Sequence, residues 1–181
     1  AVMGAGVGIR TGNGLIAIDA DTTDTQLAAQ IRDVVARHLG RVPVRVGRYP
    51  KALYLCRVDG PCQYQRVEFR APGHQGAPER VEILAEGRFF VAEGVHPKTG
   101  KPYTWPRGKA PLAALPVVAP ATITAILDEL RQILPGASEI VREGATTNIP
   151  QEALTAPLEA VKRAVEAIPN TDALFPSREH Y

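Results

Sequence analysis

The sequence predicts an α+β domain, a mainly antiparallel sheet flanked by helices, and three observations carry that prediction. Five β-rich pieces follow one another between residues 42 and 95. They lie too close together for the helical crossovers that parallel strands need. A long amphipathic helical pattern precedes them and a second one follows. Pro and Gly, 16 of each in 181 residues, gather at the turns between these pieces rather than in one low-complexity tract.

The glycine-rich opening GAGVGIRTGNG runs into LIAIDAD (15–21), an apolar segment that ends in acids. A helix is predicted over 24–39, because Leu27, Ile31, Val34, Val35, His38 and Leu39 recur at helical spacing. Thr23 with Gln26 has the pattern of a capping box at its start, and Gly40 stands where a helix commonly ends. The strands follow: VPVRVG (42–47), ALYLCRV (52–58), RVEFRA (66–71), RVEILA (80–85) and FFVAEGV (89–95). Asp59-Gly60-Pro61, Ala71-Pro72-Gly73 and Ala85-Glu86-Gly87 separate them, and the series reads as an antiparallel meander. A proline-studded stretch (97–120) leads to a helix over 121–134, stopped by Pro135-Gly136. A polar linker (136–150) and a last helix (151–167), stopped at Ile168-Pro169-Asn170, complete the chain.

With 45% apolar residues the chain is long and apolar enough to bury a core, which argues against a disordered chain. No run approaches 18 apolar residues, so no membrane span is expected. Cys56 and Cys62 make neither a disulfide framework nor a zinc pattern, and no basic and apolar leader opens the chain. A reducing, cytoplasmic home is the expectation. The net charge of +2 hides an uneven distribution: residues 1–120 carry +6 and residues 121–181 carry −4. Seven Arg or Lys fall within 41–70, and 96–109 holds Lys98, Lys101, Arg107 and Lys109 with no acid. Local excess of this kind suits a polyanion, since each neutralised phosphate releases counterions. A solvated basic surface is the plainer alternative.

The strongest chemical signal is Ile18-Asp19-Ala20-Asp21 at the end of an apolar strand. Residues i and i+2 of a strand share a face, roughly 6.5–7 Å apart, and two carboxylates so placed invite a cation. Alternatively, Asp21 and Asp24 simply favour the positive start of the next helix. A third acid could come from Glu68 in RVEF or Glu82 in RVEI, where the pattern alone does not choose. Arg45, Arg48 and Lys51, around Gly47-Arg48-Tyr49-Pro50, could present cations to a triphosphate, or form an ordinary basic loop. His96 opens the polar and aromatic loop HPKTGKPYTW, where it could meet phosphate or a metal-bound oxygen. His38 reads as helix surface or core edge, and His74 and His180 as loop residues.

Taken in order, GVGIRTGNGLIAIDAD, RVGRYPKALYLCRV and VEILAEGRFFVAEGVHPKTGKPYTW resemble the bifunctional DNA primase/polymerase domain of phage and plasmid replication proteins, in the archaeo-eukaryotic primase superfamily. The resemblance covers roughly 6–134, and the order of the three motifs makes it specific. It implies an archaeo-eukaryotic primase fold with a catalytic sheet like that of RNA-recognition motifs. It also implies a template-directed nucleotidyltransferase, DNA primase or DNA polymerase, using two Mg²⁺ or Mn²⁺ ions. Asp19 and Asp21 match the first metal motif. Glu82, whose strand runs into the GxHPxTGxPYxW loop, matches the third acid, and His96 matches the histidine of that loop. The middle motif departs from the superfamily's commoner histidine-bearing pattern, which leaves Arg45, Arg48 and Lys51 with His96 as the nucleotide-binding set. Lys98, Lys101, Arg107 and Lys109 would then track DNA.

The tail AVEAIPNTDALFPSREHY resembles the start of the helical module that follows such domains, often ahead of a helicase. The implied partners are therefore template and primer DNA, a dNTP or NTP, and a replicative helicase in cis or in trans, with no membrane. The implied domains are a catalytic one over 1–135, read as lacking its N-terminal part, the linker 136–150, and an accessory helical segment over 151–181. Three other readings stand beside this one: a catalytically silent single-stranded DNA-binding module, another DxD metal enzyme such as a nuclease or nucleotide-sugar transferase, and a C-terminal docking helix as the functional piece.

Overall fold

The computed structural model describes residues 6–142, together with Glu159 and Arg163. The chain divides into two compact units, Ala1–Gly144 and Ala145–Tyr181. In the second unit Glu159 and Arg163 are helical, and Arg163 Nε donates to the Glu159 carbonyl at 3.3 Å. The rest of the expected helix 151–167, and His180, lie outside the described residues.

The first unit is α+β. Its elements run β1 (Val7–Arg10), β2 (Leu15–Asp21), α1 (Thr25–Leu39), β3 (Val44–Arg45), β4 (Ala52–Val58), β5 (Gln65–Phe69), β6 (Glu79–Leu84) and β7 (Phe89–Glu93). A 3₁₀ turn at Leu112–Ala114, β8 (Val117–Val118), α2 (Pro120–Ile133) and β9 (Val141–Arg142) follow. The main sheet has the order β3-β4-β2-β6-β5-β9, antiparallel throughout, with β8 added parallel to β4. β1 and β7 form a separate antiparallel pair.

This order corrects the expected meander. β3–β4 and β5–β6 are hairpin neighbours, but β2 is inserted between β4 and β6, and β7 leaves the sheet for β1. The physical reason lies in β2 itself. Ile16, Ala17, Ile18 and Ala20 are all essentially inaccessible, so the strand must be covered on both faces and flanked on both edges.

Ile16, Ile18 and Ala20 face the larger core. There they meet Leu27, Ile31, Val34, Val35 and Leu39 of α1, and Ile123, Ile126, Leu127 and Leu130 of α2. Both helices thus cover one face of the sheet. On the opposite face Ala17 joins Leu53, Leu55, Tyr64 and Leu84 in a smaller cluster completed by Phe90, Ala92 and Leu115. The catalytic candidates lie along the sheet beside this smaller cluster.

The start of α1 differs from the expected capping box. Asp24 is the N-cap, its Oδ1 accepting from Gln26 N at 2.8 Å and Leu27 N at 2.9 Å. Thr23 is engaged elsewhere: its hydroxyl and amide both donate to Glu79 Oε1, while Thr22 Oγ1 donates to Glu79 Oε2 at 2.8 Å. The buried Glu79 thereby ties the exit of β2 to the start of β6. Gly40, at φ 67°, ends α1. Glu129 of α2 bridges to α1, pairing with Arg37 and with His38 Nε2 at 2.8 Å.

The stretch expected to be a linker is described as far as Arg142, and that part rests on the sheet. Ser138 N donates to the Glu68 carbonyl at 2.7 Å, Ala137 and Ile140 pack on the core, and β9 pairs with β5. Among the described residues no helix is long and apolar enough to cross a membrane.

Candidate active site

Register across the sheet assembles the site. Asp19 stands directly opposite Leu53 on one side and Glu82 on the other; Leu53 is opposite Arg45, and Glu82 opposite Arg66. Residues directly opposite one another project from the same face, so Arg45, Leu53, Asp19, Glu82 and Arg66 form one row across five strands. One step along, Asp21 is opposite Arg80, which is opposite Glu68. The register therefore brings Glu82 beside Asp19 and leaves Glu68 on the far side of β6, where its carboxylate meets Arg66 Nε at 3.2 Å.

Each carboxylate has a distinct environment. Asp19 is pushed up to about 6, above all by burial; Arg45 opposes the rise, and the Asp21 and Glu82 charges add to it. Asp21 pairs with Lys51. Glu82, whose side chain is 14% exposed, pairs with Arg80 Nε at 2.8 Å and accepts the Tyr64 hydroxyl at 2.5 Å. Tyr64 in turn lies under the Arg88 guanidinium, 4.1 Å from its ring.

The basic side of the site comes from two loops that grip each other. Val46 and Thr104 exchange backbone hydrogen bonds at 2.9 and 2.8 Å, fixing the 94–105 loop against the segment that enters the β3–β4 turn. Gly47 makes this approach possible, since a Cβ there would meet the Tyr103 ring and stand 2.8 Å from His96 Cδ2. Tyr103 packs at 5.4 Å from His96 and supports the Arg45 guanidinium 4.9 Å above its ring. Burial lowers the Arg45 pKa while Asp19 and Tyr103 act in the other direction. Arg45 Nε is buried without a hydrogen-bond partner.

His96 is held below its ordinary pKa by burial and then by the charges of Arg45, Arg48 and Lys51. Its Nδ1 accepts from Lys98 N at 3.2 Å, so the neutral ring carries its proton on Nε2. The four residues expected to bind nucleotide thus form one electropositive group, joined to the carboxylates through the Lys51–Asp21 pair.

The residues expected to track DNA are more dispersed. Lys98, Lys101, Arg107 and Lys109 are all exposed on the loop after β7. Lys109 pairs with Glu93, and Arg107 lines a pocket on the helical side of the turn. Local sequence pattern does not mark Tyr64 or Glu79, whereas Gly47 and Tyr103 stand within the Gly47-Arg48-Tyr49-Pro50 turn and the HPKTGKPYTW loop.

Three carboxylates offer hard oxygen donors, the chemistry that Mg²⁺ or Mn²⁺ takes. Among the described residues no three His, Cys, Asp or Glu side chains converge closely enough to hold an ion. Lys51 and Arg80 instead supply the positive charge at Asp21 and Glu82. The donor set fits a hard divalent ion in type, on the condition that these two cations release their partners.

The family model for the N-terminal domain of bifunctional DNA primase/polymerases matches residues 2–118. That span runs from β1 through β8 and includes every candidate site residue. No curated protein matches the chain.

Proposed function

The chain belongs to the bifunctional DNA primase/polymerase family, and from that premise we propose a template-directed nucleotidyltransferase of a phage or plasmid-type replication protein, with Asp19, Asp21 and Glu82 as its catalytic carboxylates. The observation that carries this reading is the row joining Arg45, Asp19 and Glu82 on one face, with Lys51 and His96 beside it. Acids that want a divalent cation and bases that want a polyphosphate stand next to each other, which is the arrangement a nucleoside triphosphate needs.

In the reaction the 3′-hydroxyl oxygen of a primer, or of a first nucleotide, bonds to the α-phosphorus of the incoming nucleotide and pyrophosphate leaves. Asp19, Asp21 and Glu82 would hold two Mg²⁺ or Mn²⁺ ions, which when bound stabilise charge on the attacking and leaving oxygens. Arg45, pre-oriented on Tyr103, offers a fixed guanidinium to the triphosphate; Arg48 and Lys51 add charge at the open turn. His96, whose pKa is lowered by burial and then by its cationic neighbours, donates Nε2–H without adding to their repulsion. Lys51 exchanges its Asp21 partner for phosphate when the nucleotide arrives. Lys98, Lys101, Arg107 and Lys109 carry the template backbone. The segment after the first unit is the start of a helical module serving a replicative helicase in cis or in trans, a reading supported by the resemblance of its sequence.

Primer extension with Mn²⁺ or Mg²⁺ on a defined template tests this. The expected result is incorporation dictated by the template base and abolished by chelation. Template binding without incorporation would instead mark a silent DNA-binding module, and template degradation without nucleotide would mark a nuclease.

A further inference from the structure

Behind the β3–β4 turn, on the face opposite the carboxylates, lies a cavity of about 160 Å³, of whose lining the chemistry above uses only Arg107. One wall is a single face of α1, Thr25, Ala28, Ala29 and Arg32, at the i, i+3, i+4, i+7 spacing that brings residues together. Alanines there leave open a space that larger residues would fill. The floor is Val44, Val46 and Tyr54, and the far rim is Tyr49, Pro50 and Arg107. Tyr49 is 78% exposed, an aromatic ring at the mouth of an apolar hole. Two guanidiniums and no carboxylate line the cavity. Burial pushes the Tyr54 phenol up to about 12; the charges of Arg32 and Arg107 oppose that rise and the Asp33 carboxylate adds to it more weakly, so the cavity floor feels both arginines. Arg32 is also paired with Asp33 at 3.1 Å, but their side chains are 51% and 59% exposed, which makes the pair a weak competitor for a phosphate.

Size decides between ligands. A cavity of about 150 Å³ lined by apolar side chains takes one benzene-sized ring, whereas whole small-molecule sites run to roughly 300–1,000 Å³. The space suits one ring inserted from a longer molecule better than an entire nucleotide. An apolar slot, an exposed aromatic and flanking cations are the elements by which single strands are held: bases stack and phosphates pair.

We propose that this cavity receives one unpaired base of the template strand, stacked against Tyr49, with the adjoining phosphate between Arg32 and Arg107. The proposal rests on the reading of the protein as a template-directed enzyme. The turn 46–51 then serves two sides at once, with Arg48 and Lys51 toward the incoming nucleotide and Tyr49 toward the template.

The test is fluorescence anisotropy of the full chain with a labelled oligothymidylate, over a range of salt, comparing wild type with Tyr49→Ala, Ala29→Phe and Arg107→Gln. Loss of one stacked base is expected to weaken binding about 5- to 150-fold in Tyr49→Ala, with a similar loss when Ala29→Phe fills the cavity. Arg107→Gln is expected to lower the salt slope by about 0.7. Circular dichroism confirms that each variant is folded, and Tyr49, being exposed, gives the cleanest comparison. Oligothymidylate affinities within twofold of wild type for both Tyr49→Ala and Ala29→Phe would overturn the proposal. So would a raised KM for dTTP in Tyr49→Ala with unchanged DNA binding, which would assign the cavity to the free nucleotide. If wild type binds DNA but incorporates nothing, the enzymatic reading fails while the cavity still stands or falls on Tyr49→Ala.

Discussion

Replacing Asp19 by Asn removes a carboxylate that the fold keeps under electrostatic strain. Burial raises its pKa from 3.8 to about 6, against the pull of Arg45 and with the help of Asp21 and Glu82. The native state therefore binds this proton more tightly than the unfolded chain, and stability falls as pH rises from about 4 to about 6. That rise corresponds to about 3 kcal/mol at most, the full amount being felt above pH 6. Asn keeps the shape and has no charge to desolvate. With roughly 2–4 °C of melting temperature per kcal/mol in a chain of this size, Asp19→Asn should melt above wild type at pH 8 without divalent ions, by up to about 6–12 °C. The gain should shrink toward zero at pH 4, where Asp19 is protonated in the folded protein. Scanning calorimetry at several pH values reads this directly, because titration of the groups distant from Asp19 is shared by the two proteins and cancels, leaving Asp19 and its coupled neighbours Asp21 and Glu82. A variant that melts at or below wild type at pH 8, or a gain as large at pH 4 as at pH 8, would refute the reasoning.

Gly47→Ala drives a methyl group against Tyr103 and His96, and should cost about 1–3 kcal/mol in urea unfolding while raising the KM for nucleotide through displacement of the ring beneath Arg45. Asp24→Ala removes the N-cap of α1 and should lower the urea midpoint by the equivalent of about 1 kcal/mol, with incorporation per folded molecule unchanged.

Local pattern revealed the elements, because it depends on neighbours in the chain. The apolar spacing of α1 places Leu27, Ile31, Val34, Val35 and Leu39 in the core as expected, and β4 has the predicted bounds of 52–58. What stayed hidden depends on distant residues. Arg66-Val67-Glu68 and Arg80-Val81-Glu82 have the same local pattern; the resemblance of the motifs picks Glu82, and the physical distinction is the insertion of β2 next to β6, which sets Glu82 opposite Asp19. Thr23 looks as good a cap as Asp24 until Glu79, more than fifty positions away, takes its hydroxyl and amide. The support of Glu82 by Tyr64 likewise links β6 to the residue that enters β5, a contact no local spacing shows. Tyr103 was within reach: it stands in a motif already rich in polar and aromatic residues, but its partners Arg45 and Gly47 come from the other loop.

The central claim is that the face carrying Asp19, Asp21 and Glu82 catalyses template-directed nucleotide transfer. Single-turnover primer extension with saturating template and nucleotide, comparing wild type with the folded Asp19→Asn protein, tests it most directly. The account predicts a rate lower by on the order of 10³-fold or more in the variant, with DNA binding retained. Incorporation by Asp19→Asn at the wild-type rate would contradict it.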